Sequence, residues 1–278
     1  GCFFFFFSMS ADLYEHVDKE CFRLYVRFIR RHIRYAPIVI ALYGYSLFQW
    51  KKARPLRAGF ALAQAVDDML DGDWQIQSDP IELTRLCVRD PSAMQDDGLK
   101  QICVYLIPWM KEHGLLDSLS SLFETLILDC KRRSTREQWP GEKLKNHHFR
   151  TFELSAKIAL GLCELGLSPA DARGVIESLA WVSPMRDLRE DLEKGINNIP
   201  SEVVDTSRMT AKEALSNRRV IEWMKTEYQS ALLSLDRSNL ELKRIQDKEG
   251  AVYFRIFHRL VKSYARKYPR KYPEILSC

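Results

Sequence analysis

Four carboxylates fall within seven residues at Asp67, Asp68, Asp71 and Asp73. On a helix, Asp67 and Asp71 stand one turn apart and project from one face. Like charges at that spacing repel, and the end of a helix disfavours anions further, because the backbone dipole is negative there. A cation between them removes both penalties. Hard oxygen donors suit magnesium, which keeps several waters and is commonly held by one or two carboxylates plus substrate phosphates. A solvated acidic helix end is the competing reading. The flanks favour the metal, because Phe60, Leu62, Ala63, Ala65, Val66 and Leu70 are apolar. A helix with that face enters the interior and delivers its carboxylates at a pocket mouth.

A second group has the same spacing. Ser183, Asp187 and Asp191 recur every four residues, with Arg186 and Arg189 beside them. Pro184 removes a backbone hydrogen bond and predicts a kink one turn ahead of Asp187. Facing each other across a bundle, the two groups would hold two or three magnesium ions, with manganese as the substitute, over an apolar cavity. A diphosphate would bridge the metals, the arginines would take the remaining phosphate oxygens, and an apolar tail would fill the cavity. Ionising an allylic diphosphate needs that arrangement, with charge stabilisation at the leaving group and dry aromatic walls around the carbocation.

Helices must position these groups. Gly and Pro number only 12 and 11 in 278 residues, and no alternating valine- or threonine-rich run appears. The expected class is all-α, in one domain with no repeat or low-complexity linker. Apolar residues at helical spacing predict a helix within 10–35. Residues 36–50 are apolar almost all round, so that helix should be buried or line an apolar cavity. The Asp-rich helix follows Pro55 and is closed by Gly72. Asp79-Pro80 and Asp90-Pro91 each place a capping residue before a proline and open short helices. Further helices are expected over 99–113, 115–133, 143–166, from Ser168 to about 194, 208–235 and 249–267.

Composition removes other classes. The net charge of +5 gives no case for nucleic acid. Seven cysteines at 2, 21, 87, 103, 130, 163 and 278 form no CxxC pair, which fits free thiols in a reducing, cytoplasmic compartment. Residues 1–8, with five phenylalanines, are too few to span a bilayer, which takes roughly 20 apolar residues. They read as a cloning remnant before a natural start at Met9. His147-His148 has no partner at metal spacing and reads as a pair of surface histidines. No Ser-His-Asp order, glycine-rich phosphate loop or zinc pattern is present. The tail after Lys262 mixes basic and aromatic residues and is suited to peripheral contact with an anionic membrane, with a solvated terminus as the competing reading. Monomer and homodimer both stay open.

The segment Arg57-Ala58-Gly59-Phe60 through Val66-Asp67-Asp68-Met69-Leu70-Asp71-Gly72 resembles the first aspartate-rich motif of the squalene/phytoene synthase family. Met185-Arg186-Asp187-Leu188-Arg189-Glu190-Asp191, followed by Gly195 and Ile199-Pro200, resembles the second. Asp129 with Arg132 and Arg133 is similar to the segment between them, and the likeness runs in order over most of 40–265. It implies a single-domain, class I isoprenoid synthase-like helical bundle around a central apolar cavity, over residues 9–278. It also implies magnesium-dependent, head-to-head joining of two prenyl diphosphates, farnesyl or geranylgeranyl, through a cyclopropyl intermediate. By position, Asp67, Asp71, Asp187 and Asp191 would be catalytic metal ligands. Arg186 and Arg132 would touch diphosphate, with Arg57 on the same side. Phe60 stands where the family often has a substrate-facing Tyr. Ala180 and Ser183 replace a Gln and an Asn, though Ser183 still offers an oxygen to a metal. Asn198 replaces a Tyr, and Tyr43-Gly44-Tyr45 stands for a Ser-Phe segment that helps bind one diphosphate. The cavity-lining helix aligns with 152–161 and puts Lys157 inside it, where the amine would reach a phosphate. A terpene cyclase or diphosphate lyase using one substrate is the second class. A helical relative without catalysis, serving in binding or assembly, is the third.

Overall fold

The structure is a computed structural model and describes residues 11–31, 33, 36–245 and 248–276. The reading of residues 1–8 and of a start at Met9 falls outside them. Among the described residues every regular element is a helix, as composition predicts, and none is long and apolar enough to cross a membrane. The chain divides into two compact units: the described residues of 1–123 with 161–163, and those of 124–160 with 164–278.

The first unit contains α1 (Ala11–Arg31), α2 (Ala36–Phe48), α3 (Arg54–Leu70), α4 (Pro80–Arg89), α5 (Asp97–Glu112) and the start of α6 (Leu116–Thr135). Three of these, α1, α3 and α5, pack on one another. Their inward residues recur at helical spacing: Val17, Cys21, Leu24 and Phe28; Ala58, Leu62, Ala65 and Met69; Leu99, Ile102 and Leu106. Pro55 sits in the first turn of α3, where a missing N–H costs no intrahelical bond. Asp79 caps α4 by accepting from the Ile81 N–H at 2.8 Å. Asp90-Pro91 opens only a single 3-10 turn, Pro91–Ala93, and α5 begins instead at the cap Asp96.

One expectation fails in this unit. Helix α2 is not enclosed: Ile40 is 68% exposed, Leu47 72% and Phe48 91%. It rests on α3 and, through Tyr43, on Phe22 and Tyr25 of α1, so one side of an all-round apolar helix is covered and the other is not. Apolarity around the whole circumference shows that no face is polar; it does not supply neighbours on every face.

The second unit contains the rest of α6, most of α7 (Gly141–Leu162), and α8 (Arg173–Arg186), α9 (Leu188–Glu193), α10 (Ala211–Ser216), α11 (Arg218–Arg244) and α12 (Lys248–Lys271). Helices α8, α11 and α12 pack mutually. Trp181, Met185, Met224, Leu235, Val261 and Tyr268 fill the layer between them. A capping box at Ser168 and Asp171 opens a 3-10 turn, Pro169–Ala172, and α8 starts after it at Arg173, later than the helix start expected at Ser168. The expected single helix to about residue 194 is two: α8 stops at Arg186 and α9 starts at Leu188. Pro184 lacks the N–H that would hold the preceding turn, so the expected kink becomes a break.

Candidate functional site

In the first unit, Asp67 lies in the last turn of α3 and Asp71 is its C-cap. The Asp71 N–H donates to the Asp67 carbonyl at 2.8 Å, which fixes the two carboxylates one turn apart. Gly72 follows with φ +73°, a left-handed conformation that ends the helix at little steric cost only for glycine. The neighbouring aspartates have other work. Arg31 of α1 lies 3.5 Å from buried Asp68 and 3.0 Å from Asp73. Asp67 and Asp71 are more open to solvent than Asp68.

Arg57, expected at the diphosphate, is fully buried. Its Nη2 donates to Asp18 Oδ1 at 2.7 Å, and its guanidinium lies 3.8 Å over the Trp50 ring. Arg54 donates twice to Asp18 Oδ2, at 3.1 and 3.0 Å, and Trp50 Nε1 donates to the same oxygen at 2.9 Å. Burial works against the Asp18 carboxylate, yet the bonds and charges of Arg54 and Arg57 hold its pKa below the ordinary value. Two Arg57 donors, Nε and Nη1, are buried with no hydrogen-bond partner among the described residues. With no exposed side-chain surface, and with Asp18 and Trp50 as its partners, Arg57 is held inside the protein and, contrary to expectation, is not open to a diphosphate. Phe60 stacks on Tyr25 at 5.8 Å, and Tyr25 meets Tyr43 edge-on at 5.4 Å. Of the two tyrosines expected near a diphosphate, Tyr43 joins this aromatic cluster with its hydroxyl buried, whereas Tyr45 is exposed.

The second unit places its pair at the opposite end of a helix, the start of α9. Asp187 sits at the break between α8 and α9, and the Asp191 N–H donates to the Asp187 carbonyl at 2.8 Å. Gly195 then turns left-handed, with φ +89°. Ser183 lies one turn before Asp187 on α8. Arg186 holds Asp187 Oδ2 through Nε at 2.9 Å and Nη2 at 2.5 Å. Lys271, near the end of α12, donates to the Arg186 carbonyl and lies 3.3 Å from Glu190.

Asp191 is anchored from an unexpected side. Asn198 donates to Asp191 Oδ2 at 3.0 Å and accepts from Arg132 Nη2 at 3.3 Å. Arg132 also donates to the Asn197 carbonyl at 2.7 Å and to Asp129 at 2.8 Å, and its guanidinium lies 4.2 Å over the buried Trp139 ring. The sequence reading put Arg132 on a diphosphate. The structure corrects this, because its side chain has no exposed surface and is bound to protein partners. It positions Asn198 instead. Lys157 is a further correction: it is exposed on α7, between the buried Ala156 and Ile158. The cost of burying an unpaired amine is thereby avoided.

The histidine pair is another correction. His147 is buried, and its Nε2 meets Asp129 Oδ2 at 2.8 Å. Burial opposes the Asp129 charge, but the His147 hydrogen bond, with the charges of His147, His148 and Arg132, keeps its pKa below the ordinary carboxylate value. Burial pushes the His148 pKa down to about 4.

Asp18, Asn198, His147 and Lys271 are the contributors that sequence reasoning missed. Asp18 left a signal, since it shares the 18, 21, 25, 28 face of α1 with buried Cys21, Tyr25 and Phe28, and Asn198 left one as the residue after the second motif where the family that this chain resembles has a Tyr. Among the described residues no three His, Cys, Asp or Glu side chains form a metal-holding group. Each aspartate pair supplies two hard oxygen donors, which fits magnesium when phosphate and water complete its shell. No protein-family model matches the chain, and no curated protein matches it.

Proposed function

We propose that this chain is a magnesium-dependent prenyltransferase joining two farnesyl or geranylgeranyl diphosphates head to head. One observation carries the reading. Two aspartates one turn apart lie in each unit, Asp67 and Asp71 at the end of α3 and Asp187 and Asp191 at the start of α9, each pair offering two hard oxygen donors. Asp67, Asp71, Asp187 and Asp191 would hold the magnesium ions, with Ser183 offering a further oxygen. Magnesium, when bound, supplies positive charge to a departing diphosphate. Arg186 takes phosphate oxygens by leaving Asp187. Tyr25, Tyr43 and Phe60 give an apolar aromatic wall beside Arg57.

A second reading, a cyclase or lyase acting on one prenyl diphosphate, draws on Ser183, which lies one turn before Asp187 on α8 and offers a further oxygen. Asp67→Ala and Asp187→Ala are each expected to abolish turnover, measured as pyrophosphate release with magnesium, while the helical circular dichroism stays unchanged. Wild-type rate in either variant contradicts the magnesium role proposed for that variant's pair.

A further inference from the structure

Residues 250–273 of α12 and its end carry seven lysines and arginines and no carboxylate. That exceeds the whole chain's net charge of +5, so the remaining residues are together net acidic. The cations are not spread around the helix. Arg259, Lys262, Arg266, Lys267 and Arg270 border one surface groove together with Ser263, and Arg255 continues the same side one turn earlier. Positions 255, 259, 262, 266 and 270 recur at three and four residues, and together with Lys267 they lie opposite the buried Phe254, Val261, Ala265 and Tyr268.

None of these six cations makes an ion pair or hydrogen bond with another described residue. Elsewhere in the unit, exposed arginines do pair: Arg173 and Arg237 with Glu177, Arg218 with Glu222, and Arg150 with Glu153. Six unpaired cations along one helix face repel one another, and an extended anionic partner would relieve that. Val252, Ile256 and Leu260 lie exposed on the same outward side at successive turns. A nucleic-acid backbone has no use for aliphatic side chains, whereas the boundary between lipid headgroups and acyl chains accepts them.

We infer that the outward face of α12 docks on an anionic lipid surface. Attraction of lysine and arginine to acidic headgroups dominates, and Val252, Ile256 and Leu260 enter the headgroup boundary. This inference is independent of the proposed chemistry, because it uses no residue assigned to the metal or diphosphate.

The test is co-sedimentation of the full chain with phosphatidylcholine vesicles, with and without phosphatidylserine. Binding is expected only with phosphatidylserine and should weaken steeply as salt rises. Each cation removed should lower the partition about fivefold. Neutralising four together, R259Q, K262Q, R266Q and R270Q, should therefore cost several hundredfold. Replacing the same arginines by lysine should retain most binding. If the neutral variant fails to fold by circular dichroism, the salt titration of the unaltered chain gives the same answer. Equal binding to both vesicle types, no effect of neutralisation in a folded variant, or tighter binding to duplex RNA than to phosphatidylserine vesicles would overturn the inference.

Discussion

Arg31 lies against Asp68 and Asp73, and the aspartates of the first cluster are thereby divided between two tasks. Asp68→Asn should lower stability by about 1–2 kcal/mol, read as a fall in melting temperature, because it weakens a largely buried ion pair. Its effect on turnover should be smaller than that of Asp67→Asn, which should show the reverse pattern. Asp18 is a stronger structural test. Asp18→Asn leaves fully buried Arg57 and its neighbour Arg54 without a carboxylate, at an expected cost of about 3–5 kcal/mol in denaturant unfolding. His148 sets a pH dependence. Its pKa is about 4 in the folded chain and near 6.5 when unfolded. The unfolded chain therefore binds more protons between these values, so stability falls as pH drops through that window. A denaturation midpoint that falls between pH 7 and pH 5, with the fall reduced in His148→Gln, is the expected result.

Helices were more legible than their surroundings. Proline, cap residues and left-handed glycines act on their own turn, so the end of α3 and the start of α4 could be read from neighbours in sequence, whereas Ser168 opens a 3-10 turn and α8 itself starts only at Arg173. Gly195→Ala should cost about 1–2 kcal/mol of stability, because φ +89° is strained for alanine and the added Cβ would lie 3.3 Å from the Arg133 carbonyl. The aspartate pairs were legible for the same reason, since a spacing of four is a local property. Contacts across elements left little trace. Asp18 reaches Arg57 across 39 positions and Arg132 reaches Asn198 across 66, and no periodicity encodes either meeting. His147-His148 looked like surface because polarity was judged without knowing that Asp129 lay inside. Helix α2 looked buried because its apolarity was judged without knowing how few neighbours it has.

At the scale of the molecule, the all-α architecture follows from composition, and the two compact units each carry one aspartate pair on their own core. The first is built on the α1, α3 and α5 packing and the second on α8, α11 and α12. The proposed chemistry requires both pairs, which gives the central claim a direct test. Purified protein is incubated with magnesium and farnesyl diphosphate, then with geranylgeranyl diphosphate, and hexane extracts are analysed by mass spectrometry. The expected product is a hydrocarbon with twice the carbon count of the substrate, or its cyclopropyl diphosphate precursor. A hydrocarbon or alcohol with the substrate's own carbon count, or no release of pyrophosphate from either substrate, would contradict the head-to-head reading.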